Sequence, residues 1–148
     1  MRFLAAVVVL LPLCAQSPDQ QLAREIFKQL IEINTTDSSG DNTRAAEAMA
    51  ARFRAAGFPA RDVQVLAPVV RKGNLVVRLL GTGTARPILF LGHLDVVEAR
   101  RADWPSDPFV FREEDGYFYA RGAADEETAR LREVVVMPSS LRCRHLLR

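Results

Sequence analysis

The chain has 148 residues, 49% of them hydrophobic and 26% charged, a balance that excludes a disordered, fibrous or multi-span membrane protein and leaves room for one domain at most. The formal net charge of +2 is local in origin, because residues 129–148 carry five arginines against one glutamate. No basic stripe interleaved with aromatics accompanies it, so a nucleic-acid partner is not expected.

Met1-Arg2 is followed by an apolar run from Phe3 to Leu13, then Cys14 and Ala15. A positive start, a short apolar stretch and a small residue at its end predict a secretory signal peptide over 1–15, cleaved after Ala15. The run is too short for a bilayer span, which takes about 20 apolar residues. A buried N-terminal strand is the weaker alternative, and the bulk of Leu13 speaks against a lipid anchor on Cys14. Cleavage would leave Cys143 alone, so the mature chain is expected to be exported to the periplasm or beyond, free of disulfides and without a stable membrane span.

Ser17, Pro18 and Gln20 are the cap, first position and box partner of a helix start. Leu22, Ile26, Leu30 and Ile33 then recur at helical spacing and predict its apolar face. The polar stretch from Asn34 to Asn42 reads as a loop. A second helix is predicted over Thr43–Ala56, with Ala46, Met49, Ala50 and Phe53 facing inward and Gly57 as its stop.

Beyond Gly57 the periodicity changes. Val63–Leu66 and Asn74–Leu80 predict strands, the second closed by Gly81-Thr82-Gly83. Ile88-Leu89-Phe90-Leu91 is continuously apolar, as in a strand buried on both faces of a sheet. Phe109–Phe111 and Tyr117–Tyr119 predict a hairpin with Asp115-Gly116 at its turn. Helices followed by strands, one of them central and apolar, place the chain in the α/β class as a layered sandwich.

The expected central strand ends in Gly92-His93-Leu94-Asp95. Ligands collect where the strands of open α/β sheets end, so polar groups emerging there are candidates. Imidazole is a common zinc ligand, and residues 93 and 95 of an extended segment point the same way, so Asp95 can orient His93. Taken alone, a satisfied histidine at a strand end explains this pair better. The second candidate is Asp125, at the end of Arg121-Gly122-Ala123-Ala124-Asp125, where small residues allow a tight turn. On spacing alone, a helix N-cap ahead of Glu126-Glu127-Thr128 is the preferred reading of Asp125. The two roles are compatible, since a capping carboxylate can present its other oxygen to a metal.

Taken together, these stretches support a family. Phe90-Leu91-Gly92-His93-Leu94-Asp95-Val96-Val97 resembles the first metal motif of the dinuclear-zinc metallopeptidases that include aminoacylase, acetylornithine deacetylase and glutamate carboxypeptidase. Trp104, Asp107-Pro108-Phe109, Asp115-Gly116 and Tyr119-Ala120-Arg121-Gly122-Ala123-Ala124-Asp125 resemble the approach to that family's second motif, in order and at similar spacing. The resemblance covers roughly residues 22–127. It implies a partial α/β/α sandwich catalytic domain with a mixed sheet over residues 16–128, followed by a divergent basic tail over 129–148. It further implies two zinc ions, with His93 on one, Asp125 bridging both and Asp95 orienting His93. Water activated by the ions attacks an amide carbonyl in such enzymes, a glutamate takes the water's proton, and substrates are peptides or N-acyl amino acids.

Departures accompany the match. Ala120 replaces a glycine common before the arginine, and Glu127 stands where a lysine is frequent. The general-base glutamate, its neighbouring ligand, a further carboxylate and the last histidine lie well downstream of the bridging aspartate in the family. Neither Glu126-Glu127 nor His145 fits those places. The expectation is an incomplete, truncated or frame-shifted copy that binds zinc weakly and hydrolyses little. The alternatives are a non-catalytic fragment acting as a binding or interaction module, and an unrelated α/β domain in which His93 and Asp125 are structural. An exposed sheet edge and marginal stability are also expected, with 138–148 the least ordered part.

Overall fold

The computed structural model describes residues 17–83 and 86–123. The expected signal peptide, Asp125, Cys143 and the basic tail lie outside the described residues.

Two helices come first. α1 spans Pro18–Ile31 and begins as the sequence predicts: Ser17 Oγ accepts from the Gln20 N–H at 3.2 Å, and the Ser17 N–H donates to Gln20 Oε1 at 3.0 Å. α2 spans Asn42–Ala55, starting one residue earlier than expected because Asp41 is the cap, its Oδ1 accepting from the Arg44 N–H at 3.1 Å. Gly57, at φ +90°, turns the chain away from α2.

The strands form two separate antiparallel pairs. β1 (Val63–Leu66) pairs with β2 (Asn74–Val77), Val63 opposite Val77 and Leu66 opposite Asn74. One more bond, from the Arg78 N–H to the Asp62 carbonyl at 2.9 Å, closes the ladder. The second strand therefore ends before Leu79 and Leu80, which are exposed. This pair packs on α2, where Ala45, Ala46 and Ala50 are buried and let the backbones approach.

β3 (Arg112–Glu114) and β4 (Tyr117–Tyr119) form the predicted hairpin. Asp115 and Gly116 both have positive φ, 51° and 78°, the geometry that a two-residue turn between twisted strands requires. That turn also sets the register. Counting back from it pairs Glu114 with Tyr117, so the first strand is Arg112–Glu114 and not Phe109–Phe111. Phe111 instead turns inward: Phe27 of α1 meets it edge-on at 5.8 Å, and Phe118 lies 5.4 Å from Phe27 and 5.1 Å from Phe111. Arg24 stacks over Phe111 at 5.2 Å, and its Nε donates to Glu113 Oε2 at 2.8 Å. Phe27, Ile31 and Ala120 form the buried centre of this cluster. The α1 face is thus led by Phe27 and Ile31, while Leu22, Ile26, Leu30 and Ile33 are only half-buried.

One strand expectation is corrected. Residues 86–100 have no regular secondary structure, and Ile88, Leu89, Phe90 and Leu91 are 63–79% exposed. An apolar run becomes a central strand only when a neighbour pairs with each edge, and among the described residues neither strand pair takes it up. The described residues are α/β, and their strand pairs are all antiparallel. Among the described residues no helix is long and apolar enough to cross a membrane.

Candidate functional site

His93 sits in the extended segment beyond Leu91, with 41% of its side chain exposed. Its Nδ1 lies 2.8 Å from the backbone carbonyl of Asp95, while the Asp95 carboxylate stands 3.6 Å away. A carbonyl oxygen only accepts, so Nδ1 carries the proton and the lone pair of the neutral ring resides on Nε2. The Asp95 carbonyl therefore selects the tautomer, with the carboxylate beside the same ring edge. A histidine held in this way is suited to ligate through Nε2.

The hairpin's return strand delivers the second stretch to the same place. Pro108 and Ala120 are buried, and the Arg121 N–H donates to the Pro108 carbonyl at 2.7 Å. Arg121 Nε donates to the Val97 carbonyl, also at 2.7 Å. Next to it Gly122 has φ +82°, and a Cβ there would come within 3.0 Å of Val96 Cγ1. Val96 is itself buried. Two stretches singled out from the sequence, 93–97 and 120–123, are thus fastened side by side. Asp125, the third predicted site residue, lies outside the described residues.

A further wall is the expected loop, whose distant contacts were not visible in the sequence. The loop from Asn34 to Asp41 is braced from within: Asn34 Oδ1 accepts from the Thr36 N–H at 2.9 Å and from Thr36 Oγ1 at 2.8 Å. The Gly40 N–H donates to the Thr36 carbonyl at 2.9 Å, and the Asp41 N–H to the Asn34 carbonyl at 2.8 Å. A Cβ on Gly40 would fall 2.2 Å from the Thr36 nitrogen, so only glycine fits. Thr35 and Thr36 are buried. The loop reaches the candidate site through Glu98, whose two carboxylate oxygens accept from Ser38, one from its N–H and one from its Oγ, each at 2.9 Å. Asp37 pairs with Lys72, and this neighbour's hydrogen bond and charge hold the Asp37 carboxyl below the usual range. The polar composition of 34–42 announced the loop; its partner 60 residues away left no local signal.

Among the described residues no three of His, Cys, Asp and Glu gather around a common point. The tautomer and setting of His93 fit a metal ligand, and His93 would supply one of the three protein ligands that a catalytic zinc usually takes.

Residues 89–131 match a protein family described as Peptidase family M20/M25/M40. The chain is 33% identical over 119 residues to a succinyl-diaminopimelate desuccinylase of Delftia acidovorans, an alignment covering 79% of this chain and 30% of that protein. It is 34% identical over 104 residues to aminoacylase-1 of Sus scrofa, covering 68% and 24% respectively. A succinyl-diaminopimelate desuccinylase of Bordetella petrii is 39% identical over 83 residues, covering 55% of this chain and 20% of its own length. The chain thus spans less than a third of these curated relatives. No solved structure matches it.

Proposed function

We propose a function from one premise: the chain belongs to the peptidase family M20/M25/M40, matched over residues 89–131. On that premise it carries the first part of a metal-dependent hydrolase site for amide bonds in N-acyl amino acids or peptides. His93 and Asp125 are its metal ligands, and Asp95 sets the ring of His93. A bound zinc ion supplies charge that polarises an amide carbonyl and acidifies water. The chain's own part is to hold His93 in its Nδ1-protonated tautomer, to keep the Asp95 carboxylate beside that ring edge, and to bring the Arg121–Ala123 turn against Val96 and Val97. The names of the relatives, a desuccinylase and an aminoacylase, support an acyl-amino-acid substrate.

The observation that supports this reading is the Arg121–Val97 bond together with the Gly122–Val96 contact, which bring residues 121–122 beside the segment bearing His93. His93 and Asp125 fall short of a full donor set for two ions, so weak zinc binding and little turnover belong to the proposal. The test is hydrolysis of N-acetyl and N-succinyl amino acids and of dipeptides, with and without zinc, by wild type and by His93→Ala. Any turnover should need zinc and vanish in His93→Ala. Turnover that survives the substitution contradicts the assignment.

A second reading, a non-catalytic binding module, is favoured by the exposed run Ile88–Leu91. Absence of zinc binding alongside saturable, His93-independent capture of a peptide would support it. Export through residues 1–15 is part of the proposal as well, and N-terminal sequencing of the protein outside the cytoplasm, beginning at Gln16, would support it.

A further inference from the structure

Glu98 directly follows the 90–97 motif, and it joins a loop braced from within to a segment without regular secondary structure. On one side stands the Asn34–Asp41 loop, cross-braced by Asn34, Thr36 and Gly40 and continuous with the capped start of α2. On the other side runs the extended stretch 86–100, without regular secondary structure and largely exposed. The Glu98 carboxylate bridges them through both oxygens, taking the backbone N–H and the hydroxyl of Ser38 at 2.9 Å each. One residue earlier, the Val97 carbonyl takes Arg121 Nε at 2.7 Å. Consecutive residues are therefore pinned from two directions, immediately downstream of His93 and Asp95.

We propose that Glu98 is a positioning residue for His93: its two-point clamp on Ser38 fixes the segment from which the imidazole projects. The proposal rests on the reading of His93 as a metal ligand and deepens it. The geometry asks for two acceptor or donor positions at the end of a side chain of this length, and not for a negative charge. Glutamine meets that requirement, because its oxygen accepts from the Ser38 N–H while its amide donates to the Ser38 hydroxyl. Alanine removes both contacts. Ser38 and Glu98 are both exposed, so water can satisfy the groups left behind and the fold should survive. What changes is the placement of residues 93–98.

The test uses the full chain in four forms: wild type, Glu98→Ala, Glu98→Gln and His93→Ala, the last to assign the His93 ring signals. Imidazole resonances are recorded without metal, and zinc affinity is measured on the same samples. Glu98→Ala should shift the His93 ring signals, leave those of Phe27 and Phe118 in place, and weaken zinc binding about tenfold, the lower end of what loss of a supporting partner costs a metal site. Glu98→Gln should restore both. Unchanged His93 signals in Glu98→Ala overturn the proposal. So does a simultaneous shift of Phe27 and Phe118, which would make Glu98 a general structural residue, and so does a Glu98→Gln variant as impaired as Glu98→Ala. If wild type and His93→Ala take up zinc equally, the metal reading fails while the ring signals still decide the clamp.

Discussion

Gly122 lies against Val96 so closely that a Cβ would stand 3.0 Å from Cγ1, at a backbone φ of +82° that L side chains rarely adopt. Two independent constraints thus converge on one glycine, conformation and contact, and both serve to bring the turn before Asp125 against the segment after His93. Gly57 offers a natural comparison: its φ is +90°, but nothing lies within 4 Å of its missing side chain.

Gly122→Ala should therefore destabilise the chain more than Gly57→Ala. The conformational part is common to both and amounts to roughly 1 kcal/mol. The excess at 122 is the Val96 contact, so Val96→Ala should reduce the cost of Gly122→Ala. Urea unfolding of the single and double variants measures this, and equal costs at positions 57 and 122 would refute the contact.

Phe27 is the keystone between α1 and the β3–β4 hairpin. It is 5% exposed and touches Phe111 and Phe118 with ring centroids 5.8 and 5.4 Å away. Phe27→Ala should cost about 3 kcal/mol, the lower end for a buried phenylalanine in a core this small. Leu22→Ala, on the half-buried flank of the same helix, should cost clearly less. Denaturant midpoints of the two variants settle the order.

Asp37 provides a pH-dependent contribution. Lys72 holds its carboxyl below the ordinary value of 3.8, so the folded state favours the ionised form. The resulting stabilisation is fully present above that ordinary value and is lost as pH falls through the lowered one. Asp37 is exposed, so the effect is small and weakens with salt. Between about pH 5 and pH 2, Asp37→Asn should flatten the fall in denaturant midpoint relative to wild type. An unchanged slope would show that the pair with Lys72 does not persist in solution.

Local chemistry was legible in the sequence. The Ser17–Gln20 box and the Asp115-Gly116 turn depend on residues within a few positions of one another, and each stands as predicted. Choices set by distant partners were not. Leu22, Ile26, Leu30 and Ile33 form an apolar stripe as regular as the one led by Phe27, and the selection between them comes from Phe111 and Phe118, far along the chain. Ile88–Leu91 has the composition of a buried strand, but composition does not provide flanking strands, and among the described residues none pairs with it. At the candidate site, the His93 and Asp95 pairing was foreseeable from alternation in an extended segment, although the carbonyl of Asp95 rather than its carboxylate makes the short contact. Ser38 and Glu98, 60 residues apart, carried no pattern that could have joined them.

The most direct measurement is a calorimetric zinc titration of the full chain beside His93→Ala and Asp125→Asn. Wild type should take up zinc, and each substitution should weaken uptake at least tenfold, because each removes a proposed donor to the ion. Zinc uptake that is indifferent to both substitutions would mean that positions 93 and 125 do not share a cation.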